Sequence, residues 1–581
     1  MDTDQLITEH LDLWTAAIKR RSTAGRGTSR KIELYGIKKL RELILELAVR
    51  GLLVPQNPKD EPASELLKKI AAERARLVKE GKIKQDKSLP STSIGRAIPY
   101  IPTGWACERF GNFAVIERGG SPRPIQSYLT DQPDGLNWIK IGDTDIGGKY
   151  IVATTEKIIK EGLSKTRMVY PGDFLLTNSM SFGRPYITKI EGCIHDGWLR
   201  ISPSEYLDKD FLYLLLSSPY IAKSFTDAAA GAVVQNLNSE KVREVLILLP
   251  PLAEQHRIVA KVDELMALCD QLEQQTEASL TAHQTLVETL LNTLTGAADH
   301  AQFASAWQRI AEHFDTLFST EESIDQLKQT ILQLAVMGKL VPQDPNDEPA
   351  SELLKTIATE KVKLVKAGKI RKENPLPQIV AKEMPFGLLK DWCWARLGEV
   401  TNYGFCDKAE PEDVTKDTWV LELEDVEKET SKLVRKVRFS ERDFKSSKNI
   451  FKAGDVIYGK LRPYLDKVLV ADEDGVCTTE MIPVRAHAVI TPAFLRLSMK
   501  SPRFIAYANS VTHGMNLPRV GTDKARLALI PICSQTAQQR IVAKVEELMA
   551  LCDQLKARLS NAQTTQLHLA DALAEQALVE A

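Results

Sequence analysis

No apolar run in the 581-residue sequence approaches the ~18 residues that a membrane span requires. The opening MDTDQLITEHLDLW is acidic and amphipathic, where a secretory leader would be basic and then apolar. Both features predict a cytoplasmic protein with no membrane partner. Cysteine is sparse: the eight, at 107, 193, 269, 393, 406, 477, 533 and 552, form no Cys-x-x-Cys pair. None stands near a histidine at zinc-ligand spacing, so free thiols are expected and no metal site. An excess of one charge is also missing, since the formal net charge is -1. Basic character is only local, in RRSTAGRGTSRK at 20–31 and KLVRKVRFSERDFKSSKNIFK at 432–452, and a solvated face explains either stretch when taken alone. Catalytic fingerprints are absent too. Gly142 to Lys149 has the wrong spacing for a phosphate loop and is followed by Tyr150, which fits a turn at a sheet edge. No Gly-rich cofactor fingerprint follows a strand, and no Asn-Pro-Pro-aromatic or Asp-Pro-Pro-aromatic tetrapeptide occurs. The nine histidines are scattered, and His195 beside Asp196 and His256 read as surface or core residues. Glu422, Glu424 and Asp425 could imitate a metal site, but on a strand with basic flanks salt bridges are expected.

What the sequence does have is repetition. LAVRGLLVPQNPKDEPASELLKKI at 47–70 returns as LAVMGKLVPQDPNDEPASELLKTI at 334–357, with nineteen of twenty-four residues unchanged. RIVAKVDELMALCDQL at 257–272 returns as RIVAKVEELMALCDQL at 540–555, where only Asp263 has become Glu546. A period of roughly 285 residues is far too long for a solenoid and indicates duplication of a half-molecule. Each half reads as a hook, a divergent block and a long helix.

In the hooks, helices end near Gly51 and Gly338, a Val-Pro-Gln turn follows, and new helices open at Ser64 and Ser351 and close at Gly81 and Gly368. The long helices carry narrow apolar seams of Ile258, Val262, Leu265, Leu268 and Leu272, continued by Leu286, Leu290 and Leu294, and of Ile541, Val545, Leu548, Leu551, Leu555 and Leu559. At some 40 residues, or about 60 Å, each is longer than one domain's core needs, so pairing of the two seams in a coiled coil is expected. The divergent blocks begin at Trp105 and at Trp392–Trp394 and continue in short β-branched or aromatic runs broken by Gly, Pro and Asp, which predicts small mixed domains rich in sheet. The predicted fold is α+β: two mixed α/β domains separated by two long antiparallel coiled-coil helices, with an internal pseudo-twofold repeat. The predicted segments are a helical region with the first hook (1–99), the first divergent domain (100–251), a long helix (252–300), a helical region with the second hook (301–384), the second divergent domain (385–532) and a second long helix (533–581).

The whole chain resembles the specificity subunits of type I restriction and modification enzymes. The resemblance rests on the doubled AVxGxLVPQxPxDEPASELLK hook, on ERFGNFAVIERGGSPRP and ARLGEVTNYGF after the tryptophans, on GDFLLTN and GDVIYGKLRPYLDKVL, and on the exit LLPPLAEQHRIVAKVDELM. The second exit, LIPICSQTAQQRIVAKVEELM, lacks the Pro-Pro pair and reads two residues longer. The resemblance implies a subunit without a catalytic site whose two target-recognition domains read the halves of a split, asymmetric site in double-stranded DNA. The paired helices would set the gap between the halves. Two methyltransferase subunits would dock on the helical regions, and restriction and translocase subunits would join them. S-adenosylmethionine, ATP and magnesium belong to those partners, and this chain is expected to bind no cofactor.

Base edges are read by side chains that form paired hydrogen bonds, above all Arg, Lys, Asn and Gln. Loop candidates in the first domain are Arg123, Asn178, Arg184, Gln235, Asn236 and Asn238; in the second they are Lys460, Arg462, Tyr464, Asn516 and Arg519. The segments 231–238 and 514–519 hold the same place before the last strand of each half. Lys432, Arg435, Lys436, Arg438, Lys445 and Lys448 are the candidate phosphate contacts. Two other readings remain at this stage: a coiled-coil scaffold without direct DNA readout, and a catalytic divergent block, for which the sequence offers no cofactor or metal constellation.

Overall fold

The computed structural model describes all residues except 1–6, 22–30, 84–88, 90–99, 146, 179–182, 230–236, 369–373, 488 and 581. It forms two compact units, residues 1–279 with 562–581, and residues 280–561. Helices and sheets are mixed in both, so the chain is α+β. No described helix is long and apolar enough to cross a membrane.

In the first unit, Ile37, Leu40, Ile44 and Leu47 recur at three- and four-residue spacing and form the buried face of the helix Tyr35–Arg50. The helix stops at Gly51, where φ is +75° and the Leu52 N–H donates to Leu47 O at 2.9 Å. A Cβ at Gly51 would lie 2.5 Å from the Pro102 ring and 2.9 Å from the Trp105 indole. The hook is therefore seated directly against the tryptophan that opens the divergent block. The next helix, Ala63–Lys79, is not capped by the Ser64 side chain as its sequence suggests. Its first N–H, on Ala63, donates instead to Gly104 O at 2.8 Å, so tertiary contact takes the place of a local cap. Strand Ala106–Arg109 then pairs antiparallel with Leu246–Leu249 and closes the block. Between them lie two five-stranded sheets. One has the order Ala114–Arg118, Trp198–Pro203, Phe174–Thr177, Pro185–Thr188, Tyr150–Ile151; the other runs Leu129–Thr130, Glu156–Ile158, Leu136–Ile139, Gly192–Ile194, Arg167–Val169. Ile139, Ile151, Val169, Leu175, Tyr186, Ile194 and Trp198 share one core drawn from both sheets.

The second unit repeats these devices with different contents. The helix Glu321–Val336 ends before Gly338, whose φ is +74° and whose Cβ would meet Leu389 at 2.7 Å and Trp392 at 3.1 Å. Ala350, first in the helix Ala350–Lys366, donates to Asp391 O at 2.8 Å, so Ser351 is not a cap either. Strand Cys393–Arg396 pairs with Leu529–Ile532. The enclosed sheets are smaller: Lys408–Ala409, Lys448–Phe451, Gly475–Cys477, Trp419–Leu421 in one, and Val468–Val470, Val456–Gly459, Met481–Val484 in the other.

The long helices span Leu252–Gly296 and Gln535–Glu580. Unit one takes 252–279 of the first and 562–581 of the second, and unit two takes 280–296 and 535–561. The predicted seams need correction. Ile258, Val262, Leu265, Cys269 and Leu272 are buried, whereas Leu268 is only half-buried; Leu551 is 53% exposed and Cys552 is buried in its stead. Alternating steps of four and three keep the 3.5-residue period of a supercoiling seam, and that period selects the cysteine over the preceding leucine. Likewise Val287, Leu291 and Leu294 are buried and Leu286 is exposed. Within the second unit, Val287, Leu291 and Leu294 belong to the same apolar core as Ile541, Val545 and Cys552.

Polar contacts tie each long helix to the hook helix of its own unit. Arg41 pairs with Asp270 at 2.7 Å and Glu273 at 2.5 Å, and Tyr35 donates to Asp571 at 2.7 Å. In the other unit Lys556 pairs with Asp325 at 2.8 Å, and Lys328 pairs with Asp553. At the start of each long helix Arg257 binds Asp60 at 2.7 Å, and Arg540 binds Asp347 at 2.5 Å. The expected two-residue insertion in the second exit is absent. Leu249 and Ile532, the last residues of the matched strands, both stand eight positions before those arginines, so Cys533 and Ser534 occupy the places of Pro250 and Pro251. Ser534 supplies what the proline pair lacks, a hydroxyl that accepts the Ala537 N–H at 3.0 Å.

Candidate nucleic-acid interface

The same three strands and loops meet in each block. In the second, Gly459 ends a strand and Lys460 begins a loop, with its N–H on Glu480 O at 3.0 Å and its own carbonyl accepting the Val520 N–H at 3.1 Å. In the first, Thr177 ends a strand and Asn178 donates to Gly197 O at 3.0 Å while its carbonyl accepts the Leu237 N–H, also at 3.0 Å. Asn178 with Leu237 and Lys460 with Val520 are thus joined by one hydrogen-bond frame used twice.

In the second block the frame carries a coherent exposed surface. Thr512–His513 and Arg519–Val520 form a short hairpin, which reaches the other loop through a bridge between Leu461 and Arg519 and through the Arg462 N–H on Pro518 O at 2.7 Å. At its tip Met515 is 100% exposed, with Asn516 and Leu517 also in the open, and Tyr464 is exposed on the adjoining loop. Lys460 is half-buried, and its ammonium joins no ion pair among the described residues. Arg462 adopts left-handed backbone, φ +52°, and its Nε is enclosed without a hydrogen-bond partner. Arg519 is held by Glu480, with both carboxylate oxygens 3.0 Å from Nε, which raises its pKa above the ordinary guanidinium value. Sequence reasoning missed His513, Met515 and Leu517. The signal available was two apolar residues stranded in a polar, glycine-started loop.

In the first block the candidates fare unevenly. Arg123 is 82% exposed with Nη2 3.5 Å from Asp196, whose carboxyl sits below its usual range through the Ser121 hydroxyl bond, against burial. Arg184 is exposed. Asn178 is a correction: only 1% exposed, it donates through Nδ2 to Asp196 O at 2.8 Å and braces the loop from inside. Asn238 is exposed, but its side chain caps the helix Ser239–Glu244 by accepting the Lys241 N–H at 2.8 Å. Gln235 and Asn236 lie outside the described residues. His195 is half-buried, its ring nitrogens face the Ile141 and Gly197 N–H groups, and desolvation lowers its pKa; the two backbone bonds give it a structural place.

The basic stretch 432–452 differs most from expectation. Lys448 is 8% exposed and paired with Glu422. Arg435 binds Asp425 at 3.0 Å and Glu424 at 3.2 Å, Lys436 binds Asp472 at 2.7 Å over the Trp419 ring, and Arg438 binds Glu473. Burial acts to raise the Asp425 pKa, but hydrogen bonds from Arg442, the Glu422 N–H and Arg435 prevail and hold it below the usual carboxylate range. The run of cations compensates acids brought from other strands, which linear sequence does not reveal. Lys432 and Lys445 are exposed and make no ion pair among the described residues. Glu422, Glu424 and Asp425 form the salt bridges expected of them, and among the described residues no group of three or more His, Cys, Asp or Glu is placed to hold a metal.

Comparison with known proteins adds a family. Residues 102–282 match the family described as the type I restriction modification DNA specificity domain. The type I restriction enzyme EcoAI specificity subunit of Escherichia coli is 40% identical over 623 aligned positions, covering 100% of both chains. The EcoEI specificity subunit of the same organism is 39% identical over 614, again covering 100% of both. A crystal structure of the HsdS subunit from Thermoanaerobacter tengcongensis aligns at 17% identity and a TM-score of 0.37, over 82% of this chain and 98% of that one. With 40% identity sustained from end to end, the chain belongs to the specificity subunits of type I restriction enzymes.

Proposed function

We propose that this chain selects the DNA sequence on which a type I restriction-modification complex acts, and carries out no catalytic step itself. Residues 100–251 and 385–532 are the two target-recognition domains, each reading one half of a split, asymmetric site. The observation that carries this reading is the duplicated frame, Asn178 with Gly197 and Leu237, and Lys460 with Glu480 and Val520: identical backbone bonds present different side chains. Equivalent loops with unlike contents suit unlike half-sites. Lys460, Arg462, Tyr464, Asn516 and Arg519 contact bases in the second half-site, and Arg123 and Arg184 do so in the first, where their donor geometry matches base edges. Lys432 and Lys445 hold phosphates.

The two long helices, 45 and 46 residues, each give their first part to one compact unit and their last part to the other. That arrangement supports an antiparallel coiled coil and a pseudo-twofold frame, with a spacer between half-sites set by helix length. The helical regions 1–99 and 301–384, whose hooks are nearly identical, dock two methyltransferase subunits, and restriction and translocase subunits join that core in the cytoplasm. S-adenosylmethionine, ATP and magnesium act in those partners. The test is a map of methylated adenines in cells carrying this chain and in cells where 385–532 is replaced by the corresponding block of another family member. One half of the methylated site changes and the other stays; an unchanged site refutes the assignment.

A further inference from the structure

Among the described residues, five other than glycine have positive φ: Asp391, Glu429, Ser431, Arg462 and Asp466. Three of them, Glu429, Ser431 and Asp466, surround one buried ammonium. Lys500, 7% exposed at the C-terminal cap of the helix Pro492–Met499, directs Nζ to Glu429 O at 2.9 Å, Ser431 Oγ at 2.7 Å and Asp466 Oδ2 at 2.5 Å. Ser431 Oγ in turn donates to Asp466 O at 2.6 Å and accepts the Val468 N–H at 3.0 Å. The Glu429 N–H closes the ring on Leu465 O at 2.9 Å. Ser431 and Asp466 are 4% and 5% exposed, so solvent does not compete for these bonds.

Left-handed backbone at non-glycine residues is unfavourable, and it persists where surrounding bonds over-determine it. Here the over-determined object is the loop 460–466, with Arg462 and Asp466 both left-handed at its two ends of curvature and Tyr464 exposed between them. One ammonium donor reaches the loop directly at Asp466, and the other two hold Glu429 and Ser431, whose N–H and hydroxyl bind Leu465 O and Asp466 O. Among the described residues the first block has no such group: Ser218 and Ser501 are matched helix-opening serines, accepting from Ile221 and Phe504, so Ser217 stands where Lys500 does. The device is therefore a property of the second block's loop and not of the shared frame.

We propose that Lys500, with Ser431 and Asp466, is a positioning group for sequence discrimination: it fixes the conformation of loop 460–466 from beneath without touching DNA. This rests on the reading of that loop as a base-contacting segment of the second half-site. Loosening the support leaves the loop's side chains in place but lets them sample several geometries, and paired hydrogen bonds to base edges depend on a single one.

The test uses the assembled methyltransferase with full-length variant chains, and measures methylation of DNAs carrying the cognate site or single-base changes in either half-site. Lys500→Met lowers discrimination within the second half-site about tenfold, leaves discrimination within the first half-site unchanged, and leaves affinity for unrelated DNA unchanged. Ser431→Ala and Asp466→Asn, which preserve packing, give a smaller loss of the same kind, and they decide the matter if Lys500→Met fails to fold. Equal discrimination in every folded variant overturns the proposal. Lys460→Ala and Tyr464→Ala separate the two levels: if they alter preference in the second half-site and the three buried variants do not, the loop reads bases but needs no peg. If neither set alters it, the loop itself has been misassigned. A uniform loss across both half-sites marks a general structural role and also overturns the proposal.

Discussion

Replacing Lys432 and Lys445 together by alanine separates free cations from compensated ones. Each phosphate neutralised by a protein cation releases counterions, so log K falls with log salt at about 0.9 per contact on duplex DNA. Of the six cations proposed from sequence in 432–452, Arg435, Lys436, Arg438 and Lys448 are paired with carboxylates, and only Lys432 and Lys445 stand exposed without an ion pair among the described residues. The double variant therefore flattens the salt slope by about 1.8, and the stretch as a whole contributes no more than that. Between about 50 and 200 mM salt, wild type loses about tenfold more affinity than the variant. The loss is the same on cognate and scrambled duplexes, because phosphates carry no sequence information. Fluorescence anisotropy of the assembled methyltransferase on both duplexes across a salt series measures it. Replacing Arg435 and Arg438 is the control, with a slope change near zero. If that control flattens the slope as much as the lysine pair does, the carboxylates release their arginines to DNA, and the reasoning from static ion pairs is wrong.

Two further outcomes concern the frame. Gly51 and Gly81 have similar φ, +75° and +70°, but a Cβ at Gly81 meets nothing within 4 Å while one at Gly51 meets Pro102 and Trp105. Gly81→Ala costs about 1 kcal/mol and Gly51→Ala about 2 kcal/mol more, read by denaturant unfolding; equal costs refute the seating of hook on tryptophan. Asp347 is held down to about 2 by the Arg540 bond, aided by Thr536 and opposed by burial. A depressed carboxyl contributes stability above the unfolded pKa and loses it as pH falls toward the folded one, so Asp347→Asn costs about 2 kcal/mol near pH 6 and almost nothing near pH 2. A cost that does not shrink on acidification removes the ion pair as its cause.

The duplication, the α+β class and the helix stops at Gly51 and Gly338 were all legible, because they rest on local chemistry or on comparing one half of the chain with the other. The seams were legible only to within one residue: Leu268 and Cys269 are adjacent, and choosing between them requires holding a 3.5-residue period over several turns, where the more apolar residue misleads. The basic stretch was not legible, because Asp472 and Glu473 reach Lys436 and Arg438 from more than thirty positions away. Asn178 misled for a related reason. An asparagine after a strand suits a reading loop and an internal brace equally, and only the carbonyl of Asp196 beneath it decides.

The positions that the two halves share explain why the rest can differ. Gln255 and Gln538 do the same work at the roots of the two long helices: Oε1 accepts from Asp208 at 3.0 Å in one and from Thr491 at 2.9 Å in the other, while Nε2 donates to Pro250 O at 3.0 Å and Cys533 O at 3.1 Å. Both glutamines are fully buried, so each is fixed by the cost of leaving an amide unpaired. Arg257 with Asp60 and Arg540 with Asp347 then bind hook to helix. These polar bonds lie in the hooks, the block edges and the helix roots, whereas the loop tips at Met515, Asn516 and Tyr464 are exposed and bear no part of them. Substitution at the tips leaves every one of those bonds intact. If the tips are the DNA-contacting surface proposed above, contacts that can change on a constant mounting would allow one polypeptide to acquire two unlike readers by duplication, and to exchange either of them.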